Sequence, residues 1–351
     1  MKKINLLNKE IHFVRASNDK YGGAEKYLSR LSEGLKEKNT PHKVINSKFP
    51  KFLPSWLRVI LFNFQIYFFK KNKFYFSLER IICPDVYRAG DGVHRIYLQA
   101  EKKSRFNPLH PVYLFLEKKC FQNAKCIIAN SLMVKNQIID CYGIDPNKIR
   151  VIYSGIKAKE VDYESSFDRI SREYSINQNQ NIFLYVGSGF KRKGVEQFLQ
   201  IISKLDNENI TAFIVGKEKN FNYYVNLAED LGIKDKVIFT GPRADVNDFY
   251  SISDFFILPT HYEPFSNVVL EALQSENVVI TTKQNGASEI LNKQFIMSRP
   301  DDFSIVSKIN KLLDDKIKCE KIKNANKVLS KNFSIEKNVN ETLKVINEII
   351  N

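Results

Sequence analysis

Short apolar runs rich in β-branched and aromatic residues recur along the second half of the chain, and stretches of helical period separate them. The clearest runs are residues 182–186, 211–215, 236–240, 255–259 and 278–282. Continuous apolar runs of this kind predict the strands of a parallel sheet that helices cover on both faces. Because ligands bind beyond the carboxyl ends of such strands, the loops that follow the runs are the first candidates for a site.

The first half shows the same alternation less regularly. Strands are predicted at residues 11–16, 42–46, 126–131 and 149–156, and an amphipathic helix is predicted at 334–350. Residues 56–69 form an apolar stretch that Arg58, Asn63 and Gln65 interrupt, so it is too short and too polar to span a bilayer. We predict a largely buried crossover helix there, with contact at a membrane surface as the alternative.

The length of 351 residues predicts two domains, and the charge of the chain is unevenly divided between them. The formal net charge is +15; residues 43–125 hold 16 Lys and Arg against 5 Asp and Glu, whereas residues 181–333 hold 20 against 19. The basic first half predicts an acidic partner, such as an anionic membrane or a phosphorylated glycolipid. Nucleic acid is the rival, but the sequence has no helix-turn-helix, zinc-finger or RNP-type pattern. A solvated basic surface is the remaining alternative.

The cysteines and the first residues of the chain bear on its compartment. Five cysteines, an odd number without a C-x-x-C pair, indicate neither a disulfide framework nor a zinc site. The apolar part of the basic N-terminal stretch is too short and interrupted for a signal peptide. We therefore expect reduced thiols and a cytoplasmic protein.

Two carboxylates stand eight residues apart, Glu263 and Glu271, on a turn and helix that follow the apolar run 255–259. This spacing places Glu271 about two helical turns beyond Glu263, and Ser266 and Asn267 offer first-turn N–H groups to an anion. Ionised carboxylates accept the hydrogen bonds that the hydroxyl groups of a ligand donate. The pattern alone is equally compatible with glutamates on a solvated helix.

The loop 187–194 follows another predicted strand and carries Arg192 and Lys193. Two adjacent cations at this position suit an anionic ligand. A basic solvated loop is the alternative when the cluster is taken alone.

Together, the Glu-x7-Glu stretch and the Arg-Lys-Gly loop resemble retaining glycosyltransferase family 4, which has the α/β GT-B fold of two Rossmann-like lobes with a cleft between them. The resemblance implies an acceptor-side lobe at 1–156, a linker region at 157–180 and a nucleotide-sugar lobe at 181–333, with helix 334–350 packed back on the first lobe. Glu263 would then hold sugar hydroxyls of the donor, and Glu271 would hold its ribose hydroxyls. The residues implied in donor binding are Gly22, Gly23, Gly187, Arg192, Lys193, Arg243, Glu263, Phe265, Ser266, Asn267 and Glu271.

A shorter motif narrows the resemblance. Asp85-Val-Tyr-x-Ala-Gly-Asp91 resembles the lipopolysaccharide core glucosyltransferases that add the first glucose to inner-core heptose. This implies that Asp91 and His94 lie near the cleft, although a hydrogen-bonded loop histidine is an equal alternative for His94. The implied catalytic residues are Glu263, Lys193, Arg192, Asp91 and His94.

One departure concerns the acceptor. The matched enzymes carry an aspartate a few residues after the Gly-Gly pair, whereas Glu25, Lys26 and Tyr27 follow it here. The acceptor assignment is therefore less secure than the donor chemistry.

The resemblance implies a retaining transfer of glucose from UDP-glucose to a heptose of the lipopolysaccharide inner core. The implied partners are the nucleotide-sugar, the glycolipid acceptor and an anionic membrane surface, with the protein peripheral on the inner face of the cytoplasmic membrane. No cofactor or metal is expected, because Arg192 and Lys193 can neutralise the diphosphate and no Asp-x-Asp motif ends a strand. The alternatives are another donor sugar or glycolipid acceptor and, from another class, a non-catalytic membrane or nucleic-acid binding protein.

Overall fold

The computed structural model describes residues 10–17, 23–37, 39–101, 107–160 and 162–350. The chain divides into two compact units. The first comprises the chain up to Ser154 together with the segment from Ile335, and the second comprises Gly155–Ser334. Each unit has its own parallel sheet, so the predicted two-lobed α/β fold is confirmed.

The described residues of the first unit form a six-stranded parallel sheet. Its strands are β1 (Ile11–Val14), β2 (His42–Ile45), β3 (Phe74–Ser77), β4 (Val86–Ala89), β5 (Cys126–Ala129) and β6 (Ile149–Val151). Their order across the sheet is β2-β1-β3-β4-β5-β6. Every residue of β1, β3, β4 and β5 is buried, as expected for a parallel sheet covered on both faces. The strand β3 is not among the predicted strands. Its apolar run is only a few residues long and follows a group of lysines, so the pattern does not indicate a strand there.

The second unit contains a six-stranded parallel sheet in its described residues. Its strands are β7 (Asn181–Val186), β8 (Ile210–Val215), β9 (Val237–Gly241), β10 (Phe255–Leu258), β11 (Val278–Thr282) and β12 (Ile296–Met297). The order is β12-β11-β10-β7-β8-β9, which makes β7, β10 and β11 neighbours. The loops that leave their carboxyl ends therefore lie along one edge of the sheet.

Helices pack against these sheets. In chain order they are α1 (Gly23–Glu37), α2 (Ser55–Phe68), α3 (His94–Ala100), α4 (Leu109–Asn123), α5 (Leu132–Tyr142), α6 (Tyr163–Tyr174), α7 (Phe190–Lys193), α8 (Val195–Ser203), α9 (Phe221–Asp230), α10 (Val246–Ile252), α11 (Asn267–Gln274), α12 (Ile305–Asp314), α13 (Lys316–Ser330) and α14 (Ile335–Ile350). Short 3-10 turns lie at Pro146–Lys148, Lys234–Lys236, Gly286–Ile290 and Lys293–Phe295. The stretch 157–180, predicted to contain the linker, holds α6, and Asp162 caps this helix by accepting a hydrogen bond from Ser165 N.

The last helix, α14, belongs to the first unit. Its residues Leu343 and Ile346 are buried in the same core as Leu31 of α1. The hydroxyl groups of Tyr27 and Thr342 form a 3.0 Å hydrogen bond, and Asn338 Nδ2 donates to the Tyr153 carbonyl at 2.6 Å. The chain therefore returns to the first unit after completing the second.

The prediction that the helix over 56–69 is largely buried is wrong. The buried residues of α2 are Phe62, Asn63 and Ile66. The exposed aromatic residues on and next to it are Trp56, Phe64, Tyr67, Phe68 and Phe69. Apolar residues continue around the whole circumference of α2, so their period could not distinguish the covered face from the open one.

Candidate active site

The loops after β7 and β10 meet through Arg192, which follows β7. Its carbonyl accepts hydrogen bonds from His261 N at 2.8 Å and from Thr260 Oγ1 at 3.0 Å. Its guanidinium Nη1 donates to the Tyr262 carbonyl at 2.7 Å and to Glu263 Oε2 at 2.8 Å. Contacts from both the backbone and the side chain of Arg192 thus fix the two loops to each other.

Lys193 approaches the same carboxylate oxygen. Its Nζ lies 3.6 Å from Glu263 Oε2, beyond normal hydrogen-bond distance, and its side chain is 14% exposed. Both cations contact Oε2, and no contact with Glu263 Oε1 is found in the described part of the chain. The N–H donors of Lys193 Nζ are therefore available to a ligand, and Glu263 Oε1 can accept a hydrogen bond from one.

The backbone of Glu263 is held from the opposite side by the loop after β11. Glu263 N donates to the Gln284 carbonyl at 2.9 Å, and Gly286 N donates to the Glu263 carbonyl at 2.9 Å. Asn285 between them is fully buried, and its Nδ2 donates to Thr281 Oγ1 at 3.1 Å. Three loops from three neighbouring strands thus position one carboxylate.

Glycines permit these close approaches. Gly194 has φ +79°, and a Cβ added to it would lie 1.9 Å from the Pro259 carbonyl oxygen, so a larger residue would separate the two loops. At Gly187 an added Cβ would lie 2.6 Å from Lys193 Cδ. The aliphatic stem of Lys193 therefore packs where a side chain at 187 would stand.

Glu218 is a residue of this region that sequence reasoning missed. Its Oε2 accepts a hydrogen bond from Phe190 N at 2.8 Å, and its Oε1 accepts from Lys219 N and Asn220 N. Burial alone would raise the pKa of Glu218, but these three N–H groups outweigh it and lower the pKa. Glu218 thus anchors α7, which carries Arg192 and Lys193. No local motif marks this role, because the contact joins loops of separate strands.

Helix α11 begins directly after the Glu263 turn. Phe265 and Ser266 are buried, and the Ser266 side chain does not cap the helix. Asn267 Oδ1 is buried without a hydrogen-bond partner among the described residues. Glu271, about one helical turn beyond Asn267, is half-buried, and burial together with this carboxylate raises the pKa of Tyr250. The first turn of α11 thus retains N–H groups and a polar side chain available to a ligand.

Two known protein families resemble parts of this chain. Residues 166–329 match the family described as Glycosyl transferases group 1, and residues 88–160 match Glycosyltransferase Family 4. The chain has the GT-B fold and carries a glycosyl transferases group 1 domain.

Two curated relatives show how far the sequence similarity extends. Lipopolysaccharide glucosyltransferase WaaG of Escherichia coli K12 is 29% identical over 209 residues, covering 56% of this chain and 55% of that protein. Capsular polysaccharide biosynthesis glycosyltransferase CapM of Staphylococcus aureus is 30% identical over 221 residues, covering 58% and 56%. The chain thus matches about half the length of these relatives.

Solved structures match over nearly the whole fold. The crystal structure of WaaG, a glycosyltransferase involved in lipopolysaccharide biosynthesis, has a TM-score of 0.80 at 19% identity and covers 96% of this chain and 99% of that one. Anabaena Alr3699/HepE in complex with UDP-glucose has a TM-score of 0.72 at 19% identity, with the same coverage. At this identity the likeness establishes the fold alone.

Arg243 is not brought to the Glu263 cluster of this GT-B protein. Its guanidinium contacts Glu173 at 2.7 and 2.8 Å and Asp245 at 2.9 and 2.8 Å. Two carboxylates therefore occupy the fork of Arg243, which ties α6 to the loop after β9. The prediction that it binds the donor gains no support from these contacts.

The remaining predicted residues lie in the first unit. Asp91 lines a cavity of about 690 Å³ together with Arg15, Glu79 and Arg80. Glu25, one of the residues that follow the Gly-Gly pair, pairs with Arg15 at 2.7 Å. Gly23 begins α1, and Gly22 lies outside the described residues.

His94 stands at the start of α3 and is buried. Its Nε2 lies 3.3 Å from His110 Nδ1, and its backbone N donates to Glu117 Oε1 at 2.7 Å. Burial, reinforced by the Arg80 guanidinium, lowers the pKa of His94 to about 4. His94 is thus hydrogen-bonded within the unit, as in the alternative to a ligand-holding role. It lies in a helix, whereas that alternative placed it in a loop.

Two features are absent from the described residues. No group of three or more His, Cys, Asp or Glu there is arranged to hold a metal ion. Within the same residues, no helix combines the length and the apolar character that crossing a bilayer requires.

Proposed function

We propose that this GT-B protein is a retaining glycosyltransferase that moves glucose from UDP-glucose to a heptose of the lipopolysaccharide inner core. The observation that carries the proposal is the Arg192, Lys193 and Glu263 cluster at the carboxyl ends of β7 and β10. Two cations beside a carboxylate with an open oxygen suit a donor that presents a diphosphate and sugar hydroxyls together.

Each residue has a role in this proposal. Lys193 and Arg192 stabilise the charge that develops on the departing diphosphate, and no metal is required for this. Glu263 accepts hydrogen bonds from hydroxyls of the transferred sugar, and Glu271 accepts them from the ribose. The acceptor hydroxyl oxygen bonds to the anomeric carbon on the face that the diphosphate leaves. Its proton passes to the departing diphosphate oxygen.

The named relatives support the proposal and also favour one alternative. The HepE structures contain UDP and UDP-glucose, and WaaG is named a lipopolysaccharide glucosyltransferase. The similarity to CapM, a capsular polysaccharide glycosyltransferase, favours a different glycolipid acceptor as the second candidate. Both candidate functions use the same proposed nucleotide-sugar site of this chain and differ only in the acceptor.

A donor and acceptor screen tests the proposal. The full chain is incubated with UDP-glucose, UDP-galactose, UDP-N-acetylglucosamine or GDP-mannose, with and without heptose-bearing core oligosaccharide. Nucleotide release and thermal shift are measured. Release from UDP-glucose that depends on the heptose acceptor is expected. Release from another donor would refute the sugar assignment, and no release from any donor, with no thermal shift, would favour a non-catalytic protein.

The proposed location is the inner face of the cytoplasmic membrane, with the first unit as the docking surface. Phe64, Tyr67 and Phe68 of α2 expose 55%, 58% and 71% of their surface. Lys48 Nζ and Lys73 Nζ lie 5.9 and 6.0 Å from the centroid of the exposed Phe69 ring. Exposed aromatic rings bordered by lysines suit the boundary between anionic headgroups and acyl chains. Lys102, Lys103 and Arg105, which the sequence also places in this basic region, lie outside the described residues.

Sedimentation with vesicles tests the docking. Binding to vesicles containing phosphatidylglycerol, with weaker binding as salt rises, is expected because each lysine near an anionic surface adds about 1 kcal/mol. Phe64→Ser with Phe68→Ser should reduce binding, whereas Tyr223→Ser, at a 49% exposed aromatic residue of the second unit, should not. Equal binding to neutral vesicles would refute an electrostatic contribution.

A further inference from the structure

The first unit contains a cavity of about 690 Å³ whose lining includes none of the residues Arg192, Lys193 and Glu263. It opens among the end of β1, the loop after β2, one face of α2, and residues 79–80, 91, 109 and 113. Its volume falls within the range of small-molecule sites. Its lining includes Arg15, Lys51, Arg58 and Arg80 against Glu79 and Asp91, so it is net positive.

Two of these cations are neutralised within the unit. Arg15 pairs with Glu25 at 2.7 Å and with Glu79 at 2.9 Å. Arg80 pairs with Glu117 at 3.0 Å, and Glu117 is fully buried. The net positive charge of the lining therefore comes from its other two cations, Lys51 and Arg58.

Arg58 differs from them. It is half-buried on the cavity face of α2, and its side chain has no ion pair or hydrogen bond among the described residues. Its Nε is buried without a hydrogen-bond partner. A buried charged donor that lacks an acceptor is costly, so the site favours a ligand that supplies one.

The start of α2 strengthens this preference. Ser55, its first residue, lines the cavity, and the Pro54 position before it provides no side-chain cap. The first-turn N–H groups and the positive end of the helix dipole thus lie at the same cavity as Arg58. Lys51 lines it as well and is exposed.

The rest of the lining suits a saccharide. Asp91 is a carboxylate that can accept hydrogen bonds from hydroxyls, while Phe49, Val59 and Phe62 provide an apolar wall for the C–H face of a sugar ring. We propose that the cavity binds an anionic substituent of the acceptor saccharide, a phosphate or carboxylate, and that Arg58 is its principal ligand. This inference rests on the proposed function and specifies the acceptor as an acidic saccharide. A guanidinium can grip either group through two parallel hydrogen bonds.

The test uses the full chain saturated with UDP, so that anions do not report on the donor site. A soluble phosphorylated core oligosaccharide and the same oligosaccharide after phosphatase treatment are titrated calorimetrically. The wild type should bind the phosphorylated form at least tenfold more tightly. Arg58→Met keeps the aliphatic stem and should abolish the difference, and Arg58→Lys should restore part of it. Arg172→Met, at an 82% exposed arginine of the second unit, is the matched control and should retain it.

Several outcomes would overturn the proposal. They are equal affinity for the two oligosaccharides, an unchanged preference in Arg58→Met, or binding of inorganic phosphate with no gain from the attached sugar. Loss of binding to phosphatidylglycerol vesicles in Arg58→Met, with saccharide binding intact, would identify a lipid headgroup as the occupant and overturn it too. Donor binding is followed separately by the thermal shift with UDP-glucose. If that shift is absent while Arg58 still distinguishes the saccharides, the proposed transferase function fails and the anion site stands.

Discussion

Replacing Lys193 by Met separates the charge of this residue from its packing. The Lys193 stem passes over Gly187, where an added Cβ would lie 2.6 Å from Cδ, so truncation to Ala would leave a gap as well as remove the charge. Met retains most of the stem and removes only the ammonium group. The variant therefore tests whether the charge at Nζ stabilises a departing diphosphate.

The expected effect on stability is small. Lys193 Nζ is 3.6 Å from Glu263 Oε2, and Arg192 still pairs with that oxygen at 2.8 Å, so the carboxylate keeps a partner. Since the 3.6 Å contact is longer than a hydrogen bond, we expect a loss of about 1 kcal/mol or less and a fall in Tm of roughly 2–4 °C. Removing one group that stabilises transition-state charge typically lowers kcat by about 100- to 1,000-fold, or roughly 2.7–4 kcal/mol. The loss of rate should therefore greatly exceed the loss of stability.

The assay measures steady-state UDP release with acceptor, together with Tm and the affinity for UDP. Lys191→Met is the matched control, because Lys191 lies in the same loop but is exposed. It should retain activity within about threefold. Glu263→Gln should also lose activity while Arg192 remains held by the Tyr262 carbonyl. Full turnover in folded Lys193→Met would refute the assignment of Lys193 to the diphosphate.

Other predictions concern the first unit and the independence from metal. The folded pKa of His94, about 4, lies below its ordinary value of 6.5, so the unfolded chain binds the proton first as pH falls. Stability from this residue should be lost between about pH 6.5 and 4, by about 2 kcal/mol at pH 5, and urea unfolding of His94→Gln should show a weaker pH dependence. Glu117→Gln should lower the free energy of unfolding by about 3–5 kcal/mol, because Arg80 would lose its buried counter-charge. A fall in the urea midpoint of less than about a tenth of the wild-type midpoint would contradict this. EDTA should leave turnover unchanged, and loss of activity that manganese restores would show that a metal is required.

The sequence predicts the second unit well, since its strands are continuous apolar runs and its two site motifs are local. Glu263 follows β10 directly, and Arg192 and Lys193 follow β7, so one rule about the carboxyl ends of parallel strands brings them to the same edge. That rule does not give the 2.8 Å contact of Arg192 with Glu263, which depends on the loop conformation.

The misses have a common physical cause. Contacts with residues distant in sequence decide each of these features. Such contacts give Glu218 its hydrogen bond to Phe190 N, and their absence leaves the Arg58 side chain unpaired among the described residues and one face of α2 exposed. The sequence likewise does not indicate that the Arg243 guanidinium pairs with Glu173, 70 residues earlier, and whether Arg243 binds the donor stays a prediction. A pattern of residue types predicts which element forms, but contacts across the fold decide whether a charged group on it remains available.

The uneven charge of the two units predicts how salt should act on the reaction. The second unit is nearly balanced, with 20 Lys and Arg against 19 Asp and Glu in residues 181–333, so we expect donor binding to depend on a few partly buried cations at short range. We expect the first unit to attract an acidic partner through the excess of positive charge over residues 43–125. Salt screens this attraction strongly, because the Debye length is about 8 Å at physiological salt. Raising the salt from 50 to 300 mM should therefore raise KM for a glycolipid acceptor in vesicles severalfold and change KM for the nucleotide-sugar little. A parallel rise in both constants would show that the donor site also depends on the long-range field, and the division of electrostatic roles between the units would then be wrong.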